Sequence, residues 1–373
     1  MLRTLARLTA VSCCVLAASA RADGEGSLDE NILEAQADAA LQGKSGSWVP
    51  VPIPISNPTV GTGMQGVLLY LHPNKTEGGN GPNVTSGLVG MYTNNQSWAA
   101  GAFHDGNWDA GTYRYRLLMG VGKFNLKFYG IGDDPIFAYS PVKYGMRAWG
   151  LGGELQRRVP GTENWYAGFS YRYLDSEVDF ELSSLLPNLP DVSKPFRNAG
   201  LGLLTTYDSR DDNYFPHQGR MFRLSLTDHG DAWGGDYEYA KLKAFYNHYL
   251  PLRASTTLAL RAHLQSSNGN TPFFDLPYLN MRGFSRDRYR DQNSLSLHAE
   301  ARHKFKPRWG AVAFFEAGWI ADEFDHLFQH DVVTSYGAGL RWQTTADKAL
   351  HLAVDLAFSE GDSVVHVRVG EMF

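Results

Sequence analysis

The residues best suited to a buried chemical role are one arginine and two glutamates in the last third of the sequence. Arg282 lies in a long polar stretch, and Glu300 and Glu316 lie in later segments in which polar and apolar residues alternate. A guanidinium can bond a carboxylate through two parallel hydrogen bonds and stays charged when partly buried. These residue types could form a buried ion-pair lock, and a solvated arginine on a charged loop is the ordinary alternative.

Catalytic and metal-binding motifs give little support for an enzyme. The sequence contains no Gly-x-Ser-x-Gly elbow, no His-Glu-x-x-His zinc helix and no Walker loop. His326, His330 and Asp331 have side chains that could bind a metal, but their loop setting gives no fixed geometry. We therefore expect no enzymatic activity, no metal and no other cofactor.

Composition and charge exclude further classes. Charged residues make up 20% of the chain, and no apolar run reaches the roughly 18 residues of a membrane-spanning helix. Aromatic residues make up 13%, which argues against intrinsic disorder. The formal net charge of -5 argues against a nucleic-acid partner, because such proteins need a dominant basic surface.

The N-terminal segment, residues 1–22, has the layout of a cleaved secretory signal. Two arginines precede an apolar stretch from Leu8 to Ala20, and an A-x-A site follows. Cleavage removes Cys13 and Cys14, so the mature chain has no thiol for a disulfide or for catalysis. It also removes three arginines, which changes the formal net charge from -5 to -8.

Residues 23–47 form a predicted short periplasmic leader. Ser27 and Glu30 have the spacing of a capping box, and apolar residues follow at helical spacing. We expect one amphipathic helix here. A frayed leader and a plug or docking helix are both consistent with this pattern.

From Trp48 to the last residue the apolar residues recur with a period of two. In residues 258–264, leucines and alanine on one face alternate with Arg261 and His263 on the other. Strands of about 9 to 11 residues that are apolar on one face and ionic on the other are typical of a barrel whose outside contacts lipid. The barrel must be closed, since an open edge in hydrocarbon leaves unpaired backbone groups.

Residues 48–373 are therefore predicted to form an all-β, 16-stranded antiparallel transmembrane β-barrel. Its inward face carries many basic side chains. They are consistent with a water-filled lumen that solvates them, or with a pore that attracts anions. We place Phe124, Leu126 and Phe128 on the outward face. The inward basic residues are Arg114, Arg116, Lys123, Lys127, Lys241, Lys243, Arg261 and Arg302. The sixteen strands are placed at residues 61–72, 84–94, 97–106, 109–119, 123–130, 142–159, 162–180, 197–209, 219–229, 236–250, 254–267, 292–306, 308–321, 333–345, 348–358 and 363–373.

Connection lengths predict the orientation, because bacterial barrels have short periplasmic turns and longer outer loops. The turn from Asp211 to Gln218 is longer than its periplasmic position predicts. We assign short periplasmic turns to residues 95–96, 121–122, 160–162, 251–252, 307 and 346–347, and outer loops to residues 73–83, 131–141, 181–196, 268–291 and 322–332.

Three motifs carry a resemblance to a known family. The first is a turn with Pro and Gly after an Asp-x-Arg-Asp core, and the second is Met-Arg-Gly-Phe in the longest loop. The third is an alternating C-terminal segment with Gly370 and Phe373, which resembles the targeting signal of outer-membrane barrels. The turn residues are Asp208, Arg210, Asp211, Asn213, Pro216 and Gly219, and the loop residues include Arg282, Gly283 and Phe284. Together they resemble the bacterial surface antigen family, the barrel of the outer-membrane insertase and two-partner-secretion superfamily.

The resemblance implies an inward-folded loop between strands 11 and 12, with its arginine against acidic side chains of the barrel wall. Glu300 and Arg302 resemble the family's Glu-x-Arg strand motif. Glu316 and Gly318 resemble its Phe-x-Asp-x-Gly motif, with Glu where Asp is usual.

The same resemblance implies a barrel in the outer membrane of a Gram-negative bacterium. Its role would be assembly or translocation of outer-membrane proteins or lipids without the family's periplasmic POTRA modules, for which the leader is too short. Outer-membrane lipid is the expected partner, together with client barrels or lipids and periplasmic proteins. A porin-like passive diffusion channel with a basic lumen is the alternative.

Overall fold

The computed structural model describes residues 48–72, 84–132, 137, 140–181, 183, 190–212, 215–286, 288–343, 351–360 and 362–373. The predicted signal segment and leader lie outside these residues. Within them, no helix is long and apolar enough to cross a membrane.

Sixteen antiparallel strands form a closed barrel, in which each strand pairs with its neighbours in sequence and β16 pairs with β1. The fold class predicted from the sequence is confirmed. The strands are β1 (Trp48–Asn57), β2 (Gly61–Leu71), β3 (Thr85–Thr93), β4 (Trp98–Trp108), β5 (Tyr113–Phe128), β6 (Val142–Arg158), β7 (Trp165–Phe180), β8 (Val192–Asp208), β9 (Gly219–His229), β10 (Tyr239–Arg253), β11 (Thr256–Gly269), β12 (Asn293–Lys306), β13 (Trp309–Ala321), β14 (Val333–Gln343), β15 (His351–Ser359) and β16 (Asp362–Val369).

The predicted number of strands is right although two of the assignments behind it are wrong. The structure has a strand before residue 61, namely β1, which the sequence pattern did not predict. It also has one continuous strand, β5, in place of the two predicted strands and the predicted turn at residues 121–122. Prolines at alternate positions hid β1, since proline is rare in strands. The glycine-containing segment inside β5 was mistaken for a turn.

These two errors change the orientation of the first connections. Successive connections lie at alternating ends of the barrel. The connection between β2 and β3 lies at the same end as the end of β16. Leu71 and Thr85, the residues that flank this connection, are paired. Residues 73–83 were assigned to the outer end, so that assignment is wrong. The β3–β4 turn at residues 95–96 lies at the opposite end from the one predicted. From β5 onward the predicted alternation agrees with the topology.

The two faces of the wall differ sharply in burial. On β11, Arg261 and His263 are buried, and on β12 Glu300 has no exposed surface, whereas Leu297 is exposed. Nothing covers the outer wall of an isolated barrel, so buried side chains lie on its inner face. Exposed apolar residues on the other face form the lipid-facing surface.

The predicted orientation of the second half of β5 is wrong. Lys123 and Lys127 are exposed and Phe124 is buried, so Phe124 points inward together with Leu126 and Phe128 of the same parity. Because β5 is continuous, these phenylalanines share the inner face with Arg116, which bonds Asp105 at 2.7 Å. The outward lysines lie near the end of β5 that leads into residues 129–141. This part of the barrel therefore extends beyond the apolar surface.

The inner wall of the first strands carries an apolar cluster. Ile53, Val67, Leu69 and Phe103 form a buried cluster contributed by β1, β2 and β4. The buried ionic groups described below lie mainly on the strands from β9 to β16 and on the connection between β11 and β12. The interior is therefore more apolar along the first strands and more charged along the later ones.

Candidate functional site

Arg282 lies in the connection between β11 and β12 and reaches the inner wall. Its Nε donates a hydrogen bond to Glu316 Oε1 at 2.7 Å, and its Nη1 donates to Glu300 Oε2 at 2.6 Å and to Asp355 Oδ2 at 3.2 Å. The guanidinium carbon lies 3.4 Å from the centre of the Phe314 ring. All three carboxylates and the arginine are buried, with at most 1% exposure. The structure thus brings together Arg282, Glu300 and Glu316, the three residues considered for an ion pair from their types alone.

Glu316 is well matched to this position despite replacing the aspartate that is usual in the resembling family. Its Oε2 accepts a hydrogen bond from the backbone N–H of Arg282 at 2.7 Å and another from Ser335 Oγ at 2.8 Å. His298 Nδ1 lies 3.2 Å from Oε1. The longer Glu316 side chain therefore accepts hydrogen bonds from both the guanidinium and the backbone of Arg282.

Two glycines allow the loop to lie this close to the wall. Gly283 has φ +101°, and a Cβ there would lie 3.0 Å from Ser359 Cβ. Gly318 faces the loop, and a Cβ there would lie 2.6 Å from Met281 Sδ and 2.8 Å from a Leu279 methyl carbon. Phe284 is buried with the same apolar cluster. Both glycines are therefore required by backbone conformation or by close approach.

The ion pairs continue along the inner wall from β12 to β16. Arg302 donates to Glu300 at 2.8 Å, and Arg341 donates to Asp355 at 2.5 Å and to Glu371 at 2.7 Å. Arg368 also bonds Asp355. The four arginines of this network, Arg282, Arg302, Arg341 and Arg368, are matched in formal charge by Glu300, Glu316, Asp355 and Glu371. Such matching is what makes burial of so many charges tolerable.

The end of the chain folds toward the same network. β16 stops at Val369, and the backbone turns at Gly370, which has φ +87°. The predicted strand 363–373 is therefore too long by four residues. Phe373 is buried, and its backbone oxygen accepts a hydrogen bond from Arg302 at 2.6 Å. Glu371, which interrupts the apolar alternation, is buried because it pairs with Arg341.

The turn motif between β8 and β9 is organised by local bonds. Arg210 donates to Asp208 at 2.8 Å, and Asp211 accepts the backbone N–H groups of His217 and Gln218 at 2.9 and 3.2 Å. Pro216 is buried, and Gly219 begins β9. Asn213, the remaining residue of the predicted motif, lies outside the described residues. These contacts define a compact turn and no separate site.

Asp275 fastens the β11–β12 connection at a second place, on strands far from Arg282. It accepts hydrogen bonds from Arg172 of β7 at 2.5 Å and Lys241 of β10 at 2.7 Å, and it also bonds Tyr239 and Asn198. Asp275 is buried, with 7% exposure. Burial would raise the pKa of its carboxyl, but the cations of Arg172 and Lys241 hold that pKa well below its ordinary value.

Aromatic contacts strengthen this second attachment. The Phe273 ring lies 5.3 Å from the ring of Phe128 of β5, 5.4 Å from that of Tyr144 of β6 and 5.3 Å from that of Phe180 of β7. Phe274 packs against Phe196 of β8. The same connection thus contacts the wall from β5 to β10 through Phe273–Asp275 and the wall from β12 to β15 through Arg282 and Gly283. It crosses the interior of the barrel.

The basic lining predicted from the sequence is present in part. Lys241, Lys243, Arg261 and Arg302 are buried on the inner wall. Arg116 also faces inward, whereas Lys123 and Lys127 face outward. Arg114 shares the inner parity of Arg116 and lies with its guanidinium carbon 4.0 Å from the Tyr166 ring centre. A cavity of about 70 Å³ is bordered by Arg172, Arg223, Lys241 and Lys243. Glu154 pairs with Arg223 there.

The loop after β13 holds a small acidic cluster. Side-chain ligand atoms of Glu323, Asp325 and His326 lie within 4.8 Å of one another, with both carboxylates exposed. Hydrogen bonding to Asp322 raises the pKa of His326. Exposed acidic groups of this kind are common without a metal, so the arrangement does not define a metal centre.

A closed barrel with an apolar outer face defines an outer-membrane β-barrel protein, and the strap, residues 270–286 and 288–292 of the β11–β12 connection, is fastened across its interior. A family model for the Omp85 superfamily domain matches residues 109–373. This chain therefore belongs to the Omp85 superfamily, as the sequence motifs predicted.

Solved structures show the same fold at low sequence identity. A BamA structure from Haemophilus ducreyi lacking POTRA domains 1–3 matches with a TM-score of 0.59 at 14% identity, over 87% of this chain and 69% of that chain. CdiB from Escherichia coli matches with a TM-score of 0.60 at 12% identity, over 86% of this chain and 62% of that chain. CdiB from Acinetobacter baumannii matches with a TM-score of 0.55 at 11% identity, over 86% of this chain and 59% of that chain. The chain thus spans about three fifths of the length of these CdiB chains.

Several site residues were missed by reasoning from sequence. Asp355, Arg341 and Arg368 lie on the inward parity of their strands, which was the available signal, but nothing in the pattern joined them to Arg282. Asp275 carried no signal at all, because an aspartate in a 23-residue connection has no preferred partner in sequence.

Proposed function

We propose that this protein is a gated barrel that assists the assembly or translocation of outer-membrane proteins or lipids. The observation that carries the proposal is the attachment of the β11–β12 connection to both sides of the interior, through Asp275 on one side and Arg282 on the other. A passive diffusion channel needs a permanently open lumen, whereas a fastened strap crosses the lumen here.

The strap also contacts the seam at which the barrel closes. Arg286 donates its backbone N–H to Thr59 Oγ1 at 3.2 Å, and Ser285 Oγ lies 3.3 Å from the same oxygen. Thr59 belongs to the turn after β1. Gly283 packs against the end of β15, next to β16. Movement of the strap would therefore alter the support of the seam strands.

The seam itself is the weakest junction in the wall. β1 and β2 are paired at every position from Trp48 to Asn57, whereas, among the described residues, β1 and β16 share the single pair Ser56 and Val367. In a membrane, separating strands costs the hydrogen bonds that join them. A junction with one residue pair is the place where the wall would open toward lipid.

The decisive experiment compares insertion with conduction. Purified protein in liposomes is expected to speed the membrane insertion of an unfolded outer-membrane barrel, and in planar bilayers to show small, irregular openings. Large, steady conductance without any acceleration of insertion would favour the diffusion channel instead.

The basic inner wall supports a specific form of that second candidate. If the protein is a channel, its open current should prefer anions, because Lys241, Lys243 and Arg261 line the interior. A reversal potential in asymmetric salt that shows cation preference would exclude this form.

A further inference from the structure

The prolines of β1 follow a pattern that concerns the seam. Pro50, Pro52 and Pro54 occupy alternate positions of this strand, and Pro58 continues the series just beyond its end. Ser56 is the non-proline member of the series. A proline has no N–H, so it cannot donate a hydrogen bond to a neighbouring strand.

The pairing of β1 with β2 shows which edge these prolines affect. In an antiparallel ladder, pairs that exchange two hydrogen bonds alternate with pairs that exchange none. Proline cannot complete a two-bond pair, yet β1 pairs with β2 along its whole length. The two-bond pairs with β2 must therefore involve Val49, Val51, Ile53 and Ile55. The even-numbered residues direct their backbone groups to the other edge, which faces β16.

The register explains why the seam is so short. Ser56 pairs with Val367. Counting two residues in each direction places Pro54 opposite Val369 and Pro58 opposite Val365. Pro54 and Pro58 have no backbone N–H, so neither can form a further pair with two hydrogen bonds to β16. Ser56 is thus the one residue from Pro50 to Pro58 on this edge that can both donate and accept.

We propose that the prolines block strand addition to β1, so that a strand entering the seam pairs with β16. The edge of β16 that faces the seam carries Ser363, Val365, Val367 and Val369, and each has both an N–H and a carbonyl. Edge strands that carry proline are protected against pairing, while an edge with complete donors is a template for another strand. The segment that pairs with β16 is an extended strand of an outer-membrane barrel protein. This step rests on the proposed function, because it assumes that the seam receives polypeptide.

The first test needs no client and uses the full chain in liposomes. Replacing Pro54 and Pro58 together by Val restores the two N–H groups that lie opposite Val369 and Val365 in this register. We expect amide hydrogen exchange in residues 365–369 to slow by about tenfold, because the ladder between β1 and β16 then extends on both sides of Ser56. Met64→Val, on the outward face of β2, is the matched control and should leave exchange unchanged. Equal exchange in the proline variant and the control would overturn the blocking role.

The second test locates the added strand. A photo-crosslinking residue is placed at Val365 of β16 or at Trp48 of β1, both exposed on the outward face, and the probe is a synthetic peptide of residues 360–373 of this chain. We expect adducts from Val365 and at least tenfold fewer from Trp48. Equal adducts, or more from Trp48, would overturn this inference while leaving the proposed function intact. Adducts from neither position would overturn both strand docking and the proposed function.

Discussion

Glu316 holds Arg282 by two different groups: one carboxylate oxygen accepts from the guanidinium and the other from the backbone N–H of the same residue, each at 2.7 Å. The bond to the backbone does not depend on the arginine side chain. The pair therefore fixes the position of the chain as well as its charge, and a test of the lock must separate the two.

Arg282→Ala is expected to destabilise the barrel by about 3 to 5 kcal/mol, because Glu316 stays buried without its guanidinium partner and Glu300 loses one of its cations. Arg282→Lys should recover a minor part of this, since an ammonium cannot reproduce the planar fork. Denaturant unfolding in detergent, together with heat-modifiability, measures the change. Arg147→Ala, which removes an exposed pair with Glu177, is the control and should shift stability by less than about 1 kcal/mol. A loss no larger than the control would contradict the lock.

Asp275→Asn is expected to loosen the other end of the strap. It leaves the cations of Arg172 and Lys241 without their carboxylate in a buried setting, at a cost of about 3 kcal/mol. Single-channel recording should show more frequent openings, and proteolysis near residues 270–280 should be faster. Asp236→Asn removes an exposed loop carboxylate bound to Arg197 and should change neither measurement. Identical records for the two variants would argue against a second attachment.

The strap should stay attached in moderate acid. The pKa of Asp275 is held well below its ordinary value, so its stabilising contribution is complete above the ordinary carboxyl pKa of about 3.9. That contribution declines as the pH falls further, through the lowered pKa. We expect the opening frequency to be unchanged between pH 7 and pH 5 and to rise below about pH 3.5. Asp275→Asn should abolish the acid-dependent part, and an unaltered acid response in that variant would refute the assignment.

Gly318→Ala is expected to push the strap off the wall, because the new Cβ would lie 2.6 Å from Met281 Sδ. Overpacking of this kind typically costs about 1 to 3 kcal/mol. Adding Met281→Ala should restore part of the stability by removing the crowded atoms. Stability curves of the single and double variants provide the measurement, and additive losses would show that the two residues do not share this contact.

The predicted strands differ from the observed ones at β1 and β5. Sixteen strands were predicted because a missed strand and a falsely divided strand compensated each other. Alternation reports which residues share a face only within one uninterrupted strand, so the false turn at residues 121–122 reversed the orientation of Lys123, Phe124 and Lys127. Where strands were uninterrupted, as in β11 and β12, the predicted faces agree with the observed burial.

Local pattern alone determined the all-β class, the closed membrane barrel, the inward parity of Glu300 and Glu316, and the motif that contains Arg282. These features depend on side chains a few residues apart, whose relative positions are set by the two-residue period of a strand. The partners Asp355 and Arg341, the attachment of Asp275 to Arg172, and the single pairing of Ser56 with Val367 were decided by the tertiary structure. They join residues from about 14 to more than 300 positions apart, and barrel closure and strand register bring them within bonding distance.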